Sequence, residues 1–511
     1  MPTVVAFRAI TRMKARAMIA SSLIVLNRRR WLTAAFVVCG LLPLFTVQAA
    51  NFLVTRGDDP VPVSCSVGDC SLRSAILAAN ALAGPDAITL PAGTYDLQQL
   101  GVGEDASLTG DLDILDELTI QGAGSASTIV YPRDVDRLFD IARGITVTVS
   151  GLSIDNTVAS SPPIPQRGGG VRSGLFGVGD ELQTTLTLSD VAIDNTRSYS
   201  NDAVEARGHL FAVRLHLQQT TPDNRIALNF SGPELRVSRS QFIHNGVALV
   251  IQLPAAGVAY LHDTQILDGG TENNCNGIAL DGTGTGFFDR ITVEGVFSFG
   301  FGAVCITGGS TASLRDSTLG YNPVGALYVG GGPGTATLNV ENSTIAGNGA
   351  TSTVSMGPGG VMNLLNSTVT FESDSSVTHA IEAFPAGALP AGIINVTNSI
   401  IAGGCQGPLT INRFGKNLES PGNTCGLNPG IDLVSVPLAN LALSPLANNG
   451  GTTKTRLPQA GSLAIAGSNV AGIPFCTSRD QRGYLRPAVC DLGAVDTGGV
   501  NERIFADGFE F

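Results

Sequence analysis

The sequence predicts an all-β solenoid, a parallel β-helix, and three observations support this fold class. A short motif recurs along most of the chain, and its clearest copy, Leu338–Asn348, alternates apolar residues before a Gly-Asn pair. Glycine is frequent, with 63 of 511 residues, and charged residues make up only 14%, as expected for short strands joined by tight turns. The copies also return at an interval typical of solenoid repeats. A repeat array explains a chain longer than one ordinary compact domain.

The copies align on one polar column, whose members are Asp190, Arg239, Asp263, Arg290, Asp316, Asn342, Asn366 and Asn398. Their spacings are 49, 24, 27, 26, 26, 24 and 32 residues, so the first spacing predicts one hidden coil around Arg214. Stacked coils would place inward Leu, Val and Ile in a continuous core, and Asn suits a left-handed turn between strands. Leucine-rich repeats and immunoglobulin-like sandwiches are the competing folds. The copies lack the Leu-x-x-Leu-x-Leu plan of leucine-rich repeats. An immunoglobulin-like sandwich would not keep one motif in register over eight copies.

The N-terminus predicts export. Arg28, Arg29 and Arg30 precede an apolar run from Trp31 to Val47, and a small-residue cleavage site follows. We therefore assign residues 1–49 to a signal peptide and expect a secreted, extracellular or bacterial cell-surface protein. The alternative is an uncleaved anchor, because about 17 apolar residues lie near the lower limit for a membrane span. No membrane span is expected once the signal is removed.

The cysteine count agrees with export. Of nine cysteines, Cys39 lies within the signal, which leaves an even number in the mature chain. A zinc site would need clustered Cys and His at short spacing, and no CxxC occurs. An even count in an exported chain favours four local disulfides, although spacing alone does not fix connectivity. The neighbouring pairs are Cys65/Cys70, Cys275/Cys305, Cys405/Cys425 and Cys476/Cys490.

The start of the mature chain predicts a capping module. Leu72, Ala75, Ile76 and Ala79 fall at helical spacing after the N-cap candidate Ser71. The stretch Cys70-Ser71-Leu72-Arg73-Ser74-Ala75-Ile76 resembles the CSLREA-type module of exported bacterial proteins, with Ser74 in place of the usual Glu. The resemblance implies a capping module over residues 50–117, followed by a right-handed parallel β-helix, which we place at residues 118–430.

The C-terminal region carries a second resemblance. The stretches 443–455, 480–483 and 490–494 are similar to the "choice-of-anchor Q" domain of bacterial surface proteins. This family has no settled activity to carry over. We expect a β-rich domain at residues 431–498 and a tail at residues 499–511. The tail is either a sorting or retention signal or a last strand that closes the domain.

Two sets of residues are candidates for chemistry. In the polar column, Asp263 and Asp316 are candidate catalytic carboxylates, and Arg239 and Arg290 are candidate ligand-binding cations, since such a surface could bind or cleave acidic glycans. The competing interpretation is turn chemistry, because the same column accepts Asn342.

The second set is Asp111 and Asp113, which alternation places on one strand face. They could hold calcium or contact a sugar. The preferred interpretation is a solvated face opposite the core-facing Leu112 and Ile114. Calcium is the one cofactor that the sequence admits, and no other metal site is predicted.

Net charge is −12 and the pI is about 4.9, which argues against a nucleic-acid partner because there is no basic face to neutralise phosphates. The leading expectation is a secreted or surface-displayed, non-catalytic β-helix that binds glycans or proteins along its solenoid face. The alternative is a polysaccharide lyase or glycoside hydrolase on the same scaffold. The expected partner is an extracellular polysaccharide or a surface protein, and nothing in the sequence indicates an oligomeric state.

Overall fold

The computed structural model describes residues 49–61, 64–101, 103–132, 137–155, 169–194, 202–219, 226–271, 275–298, 301–323, 325–349, 352–371, 379–384, 392–468 and 476–502. The predicted signal peptide, up to residue 48, and most of the predicted tail lie outside these residues. Within them, no helix has the length and apolarity needed to cross a bilayer.

The predicted parallel β-helix is confirmed, because each strand of the main body pairs in parallel with a strand of the preceding or following coil. The strands of residues 51–194 are β1 Asn51–Leu53, β2 Asp86–Leu90, β3 Gly93–Asp96, β4 Leu112–Ile114, β5 Leu118–Gly122, β6 Thr128–Tyr131, β7 Phe139–Ala142, β8 Thr146–Asp155, β9 Val171–Phe176 and β10 Thr185–Asp194. Those of residues 202–298 are β11 Asp202–Gln218, β12 Ile226–Ser238, β13 Gln241–Ile243, β14 Val247–Leu253, β15 Val258–His262, β16 Gln265–Leu267, β17 Gly270–Thr271, β18 Cys275–Gly282, β19 Thr285–Asp289, β20 Thr292–Glu294 and β21 Phe297–Ser298. The remaining strands are β22 Gly302–Ile306, β23 Thr311–Arg315, β24 Thr318–Gly320, β25 Leu327–Val329, β26 Ala336–Glu341, β27 Thr344–Asn348, β28 Ser352–Met356, β29 Gly360–Leu365, β30 Thr368–Phe371, β31 His379–Ala383, β32 Ile393–Thr397, β33 Ile400–Ala402, β34 Cys405–Gln406, β35 Thr410–Phe414 and β36 Leu418–Ser420.

Each coil passes in turn through three stacks of parallel strands, which we call sheets 1, 2 and 3. Long strands bend from one stack into the next. Sheet 1 contains β1, β2, β5, β8, β10, β11, β12, β15, β19, β23, β26, β29, β32 and β35. Sheet 2 contains β3, β6, β8, β10, β11, β13, β16, β20, β24, β27, β30, β33 and β36. Sheet 3 contains β4, β7, β9, β11, β12, β14, β18, β22, β25, β28, β31 and β34.

The apolar positions of the repeat form the core. Leu338, Val340 and Ile345 are at most 1% exposed, and their counterparts in other coils are equally buried. Strands of adjacent coils lie about 4.8 Å apart, so these side chains stack on one another along the axis. Buried asparagines stack too: the Asn322 side chain donates to Oδ1 of Asn348 at 3.0 Å.

The predicted capping helix is present as α1, Leu72–Asn80, and it packs against β2 and β4. Ser71 is its N-cap and accepts a hydrogen bond from the Ser74 amide. Ser74 occupies the third helical position, where a Glu would complete a capping box, and its hydroxyl instead accepts a hydrogen bond from Ser71 Oγ at 3.0 Å. Arg73 is fully buried and binds the Asp59 carboxylate through Nε and Nη2, at 2.9 and 3.1 Å. This buried ion pair fixes the helix on the first coil.

The C-terminal region, described at residues 431–468 and 476–502, lies against sheet 2. It contains one short helix, α2, Leu438–Leu441, and isolated antiparallel bridges such as Ala447 with Thr455 and Leu485 with Val500. Lys454 reaches Glu294 of β20 with a 2.6 Å ion pair, and the Thr344 hydroxyl of β27 donates to Gln481. The region therefore covers several coils of one side of the solenoid.

All four disulfides predicted as neighbouring pairs are formed, joining Cys65 to Cys70, Cys275 to Cys305, Cys405 to Cys425 and Cys476 to Cys490. Two of them link consecutive coils, since Cys275 lies in β18 and Cys305 in β22 of sheet 3, while Cys405 of β34 bonds to the chain after β36. These two pairs are local in sequence because a solenoid brings residues one coil apart into contact, whereas the other two close short loops in the N-terminal module and in the C-terminal region.

Candidate active site at the sheet 1–sheet 2 turn

The polar column aligned in the sequence is the turn between sheets 1 and 2. Its eight members all have left-handed backbones, with φ between 46° and 55°. Arg214 has the same conformation at φ 53°, which confirms the hidden coil. The turn interpretation is therefore right for the whole column. Asn and Asp both tolerate this conformation, so the arginines of the column, and the grouping of its charged members in one half, call for a further explanation.

Contacts with the C-terminal region distinguish the two halves of the column. Asn342 donates to the Arg479 carbonyl at 2.9 Å, and Asn366 donates to Thr477 Oγ1 at 2.9 Å. The Asn398 carbonyl accepts from the Gly493 amide. The asparagines thus lie where the C-terminal region covers the turn, while the charged members lie beyond its edge, and Asp316 marks the boundary.

Three consecutive coils place charged residues together just before this boundary. His262, Asp289 and Arg315 are the last residues of β15, β19 and β23 and pair in register, and the column residues follow them directly. The His262 ring nitrogens lie 3.1 Å from the Asp263 carboxylate and 2.9 Å from that of Asp289. We call His262, Asp263, Asp289 and Arg290 the rim cluster.

Arg290 connects the members of the rim cluster. It donates to Asp263 Oδ1 at 2.7 Å and to Asp289 Oδ2 at 2.9 Å. Burial opposes ionisation of Asp263, but the hydrogen bond and charge of Arg290, with His262 and Arg239 nearby, outweigh it and lower the pKa of Asp263. Asp263 is therefore an ionised carboxylate at neutral pH, which does not suit it to donate a proton.

A cleft of about 500 Å³ opens beside the rim cluster, between the β-helix and the C-terminal region. Arg290 and Asp316 form the β-helix wall, so the structure brings these two predicted residues to one site. The opposite wall comes from the C-terminal region and is formed by Gly451, Thr452, Arg479, Gln481, Arg482, Gly483, Tyr484, Asn501 and Glu502. The described lining thus has three arginines and two carboxylates, in a protein whose net charge is −12.

Asp316 is the most perturbed group in this cleft. Burial, followed by repulsion from Asp289, raises its pKa to about 7, although Arg315 and a hydrogen bond from Asn342 act in the opposite direction. Its Oδ1 is buried and has no hydrogen-bond partner in the structure. A carboxyl group with a pKa near 7 holds its proton part of the time at neutral pH, which is the property required of a general acid.

The arginines of the C-terminal wall are held in place by their own partners. Arg479 pairs with Glu502 at 2.7 Å. Arg482 pairs with Asp480 at 2.7 Å, and its guanidinium lies 4.2 Å from the centre of the Tyr484 ring. These contacts orient the guanidinium groups before a ligand arrives, which reduces the ordering cost of binding.

The predicted binding residue Arg239 lies in a neighbouring groove of about 440 Å³ rather than in the cleft. This groove follows the same turn toward the N-terminus and also contains Asp263, His216 and Arg214. The four candidates of the polar column therefore belong to two adjacent sites. Arg290 and Asp316 line the cleft, whereas Arg239 and Asp263 line the groove, and Asp263 also belongs to the rim cluster.

The structure contradicts a solvated face at Asp111 and Asp113, which are 1% and 0% exposed. They lie with Asp140 in a buried group, in which one carboxylate oxygen from each residue lies within 4.8 Å of the other two. Arg137 donates to Asp111 at 2.5 Å and to Asp140 at 2.6 Å. Calcium prefers six to eight oxygen ligands, and a guanidinium group already occupies oxygens of this group. Calcium binding here stays a prediction.

Sequence reasoning missed part of the site. His262 shows no triad spacing, because Asp263 is simply the next residue and Asp289 meets it only through the stacking of coils. Arg479 and Arg482 lie more than 160 residues from Asp316, and no local pattern indicates that the two segments share a cleft. The unusual charged residues in a column suited to Asn were the one available signal.

No protein-family model matches the chain, and no curated protein matches it. Among solved structures, it is similar to the A-module of mannuronan C-5 epimerase AlgE4 from Azotobacter vinelandii, with 14% identity over 76% of this chain and 100% of that one, at a TM-score of 0.29. It is also similar to the catalytic domain of a GH87 α-1,3-glucanase in complex with nigerose, with 13% identity over 70% of this chain and 66% of that one, at a TM-score of 0.35. Both proteins act on carbohydrates. These values are too low to transfer an activity or a residue's role.

Proposed function

We propose that this protein is an exported carbohydrate-active β-helix protein that binds an acidic polysaccharide in the cleft at Asp316 and cleaves it there. The single observation that carries the proposal is the cleft itself, which combines three oriented arginines with a carboxyl group of pKa about 7 whose Oδ1 is buried without a hydrogen-bond partner. Four disulfides support an extracellular site of action.

The chemistry of glycan cleavage needs these groups. In hydrolysis and in elimination alike, the departing glycosidic oxygen must receive a proton, and Asp316 can supply it. Arginine guanidinium groups match the planar carboxylate of a uronic acid, so Arg479, Arg482 and Arg290 favour an acidic sugar over a neutral one. The proposal covers a glycoside hydrolase, in which water adds to the anomeric carbon as the glycosidic bond breaks, and a polysaccharide lyase, in which a base removes the C5 proton of the uronic acid while the C4–O bond breaks and a C4–C5 double bond forms.

A second candidate is the non-catalytic, glycan-binding β-helix that was the leading expectation from the sequence. One observation favours it: the described lining of the cleft offers only one other carboxylate, Glu502, and that group is ion-paired to Arg479, whereas hydrolysis needs a second carboxylate beside the acid. In this role, Asp316 is simply the turn residue at the edge of the C-terminal region. The glycan is then held without being cut.

Two column substitutions test the proposal without backbone strain, because Asn342 and Asn366 already occupy equivalent left-handed positions. Asp316→Asn removes the proton donor, and Arg290→Asn removes one cation of the cleft. Purified protein is incubated with polygalacturonate and with a neutral β-1,4-glucan, and reducing ends and unsaturated products are measured. Arg207→Gln is the matched control, since Arg207 is 40% exposed and ion-paired to Glu181 outside the cleft.

We expect product from polygalacturonate with the wild type and the control, a loss of about 100-fold or more in Asp316→Asn, and weaker substrate binding in Arg290→Asn. Glycan binding without any product would favour the second candidate. Product formation that is unchanged in Asp316→Asn would exclude Asp316 as the acid.

A further inference from the structure

The outward face of sheet 1 carries a second ordered array of side chains. One residue from each of nine consecutive coils lies in register along the solenoid axis, and we call this array the sheet 1 column. Its members are Phe211, Arg236, Tyr260, Phe287, Ser313, Asn339, Asn363, Asn395 and Asn412. With about 4.8 Å between coils, it extends for roughly 38 Å.

The first half of the column is aromatic. The Tyr260 and Phe287 rings stack with centroids 5.0 Å apart and an interplanar angle of 11°, and the Arg236 guanidinium lies 4.6 Å from the centre of the Tyr260 ring. Phe287 is 39% exposed. These rings point away from the core, where other residues of the same strands, such as Leu261 and Phe288, are already buried. Folding therefore does not require aromatic residues at these positions.

The second half of the column is a ladder of amides. Asn363 donates to Asn339 at 2.7 Å, Asn395 donates to Asn363 at 2.5 Å, and Asn412 donates to Asn395 at 2.9 Å. An asparagine side chain offers two N–H donors and two acceptor lone pairs, and each step of the ladder uses one of each. The ladder thus fixes the orientation of every amide and leaves it with further hydrogen-bonding capacity.

We propose that the sheet 1 column binds a linear polysaccharide that runs parallel to the solenoid axis. Apolar faces of sugar rings would stack on Tyr260 and Phe287, and sugar hydroxyls would bond to the asparagine amides. One sugar unit advances an extended glycan by about the height of one coil, so successive units would meet equivalent side chains. The class of ligand rests on the proposed function, and the site itself is separate from the cleft.

The chemistry of the column selects a glycan over a protein partner. An added β-strand needs a free sheet edge, whereas here the backbone groups are already paired within sheet 1. The centre of a protein interface is typically apolar, and the amide half, from Asn339 to Asn412, has no apolar member. Rings that continue into a row of oriented amides match a ligand that alternates apolar ring faces with hydroxyl groups.

Binding of polygalacturonate and of a β-1,4-gluco-oligosaccharide is measured by titration calorimetry for two variants, Tyr260→Ala/Phe287→Ala and Asn363→Ala. The matched control is Phe301→Ala, because Phe301 has the same 39% exposure and also packs on a ring, that of Tyr328, at the start of sheet 3. We expect affinity for at least one glycan to fall by about tenfold in the double variant and less in Asn363→Ala, with no change in the control. Thermal unfolding verifies that all three variants remain folded.

Unchanged affinity in both column variants would overturn this inference, and so would a wild type that binds neither glycan. Self-association of each protein is also measured by sedimentation. If the double variant loses self-association and its glycan affinity does not change, the face belongs to a second copy of the chain, and the inference is overturned. The two proposals fail separately. If product formation depends on Asp316 and glycan affinity does not depend on the sheet 1 column, only the proposal for the cleft stands. If glycan affinity depends on the sheet 1 column and no product forms, only the proposal for that column stands.

Discussion

The backbone carbonyl of Asp316 accepts a 2.8 Å hydrogen bond from the Thr453 hydroxyl, which joins a turn of the β-helix to the C-terminal region. The two residues are far apart in the chain, yet this bond fixes the backbone that carries the most perturbed carboxyl group of the cleft. The C-terminal region therefore determines the burial of Asp316, and burial is the largest cause of its raised pKa.

Substitution of Asp316 by Asn should remove a proton donor without weakening the fold. If Asp316 acts as the acid, activity on polygalacturonate falls as the pH rises through about 7, because the donor loses its proton. A carboxyl group with a raised pKa destabilises the folded state once it ionises, so Asp316→Asn should be at least as stable as the wild type at pH 8. The pH profile of the initial rate and thermal unfolding at pH 5 and pH 8 measure the two effects.

Asp190→Asn is the control for this experiment, since Asp190 occupies the same left-handed turn but lines the neighbouring groove. It should keep the wild-type pH profile. A profile for Asp316→Asn that matches the wild type would assign the ionisation near pH 7 to another group.

Gln481 should be the main polar contact that holds the C-terminal region on the β-helix. It is 2% exposed, and its Nε2 lies 3.0–3.2 Å from Ser317 O, Thr318 Oγ1, Thr453 Oγ1 and Lys454 O, while its Oε1 accepts from Thr344. Gln481→Ala leaves several buried polar groups unpaired, and we expect a loss of about 2–4 kcal/mol. Urea unfolding and limited proteolysis of the C-terminal region measure this loss.

Gln459→Ala is the matched control, because Gln459 belongs to the same region but is exposed and donates only to a nearby carbonyl. It should change stability by less than about 0.5 kcal/mol. Equal effects of the two substitutions would show that Gln481 does not hold the region in place.

The sequence was sufficient for the fold because the β-helix repeats one rule in every coil. Leu338 and Val340 alternate with polar residues, and Asn342 follows at the left-handed turn, so periodicity alone indicates strands, core and turn. Even the degenerate coil at Arg214 was predictable, because the 49-residue spacing between Asp190 and Arg239 is about twice the usual spacing. The disulfides Cys275–Cys305 and Cys405–Cys425 follow from the same stacking.

The site was only partly predictable, because it depends on contacts that the repeat does not encode. Asp316 and Arg290 were candidates as charged exceptions in an Asn column, but Arg482 reaches them through the packing of the C-terminal region. The prediction of a solvated Asp113 was wrong because alternation reports which face a residue occupies and not what covers that face. The segment around Ser107 covers it, with the Ser107 amide donating to Asp113 at 2.7 Å.

The disulfide between Cys275 and Cys305 should stabilise the solenoid more than the one between Cys65 and Cys70. It spans 30 residues against 5, and a longer closed loop removes more entropy from the unfolded chain. We expect replacement of both cysteines by serine to cost about 3–4 kcal/mol for the first pair and about 2 kcal/mol for the second. Urea unfolding of the two double variants gives the comparison, and a larger loss for the second pair would contradict the loop-length argument.

The buried carboxyl group of Asp113 should make the protein less stable as the pH rises. Burial, followed by the charges of Asp111, Asp140 and Glu104, raises its pKa to about 8, while the hydrogen bond from Ser107 opposes the shift. Since the folded state holds this proton more tightly than the unfolded state, the stabilising contribution is complete below about pH 4. It is lost progressively between pH 4 and pH 8. Asp113→Asn mimics the protonated form at every pH.

We therefore expect Asp113→Asn to match the wild type near pH 4 and to exceed its free energy of unfolding by a margin on the order of a few kcal/mol at pH 9. The measurement is urea unfolding of both proteins from pH 4 to pH 9, with the difference between them as the readout, because ionisable groups that do not interact with Asp113 affect both proteins equally. Asp116→Asn is the control, since Asp116 lies on the same segment outside the buried group. A difference that does not grow with pH would mean that Asp113 is already ionised in the folded protein.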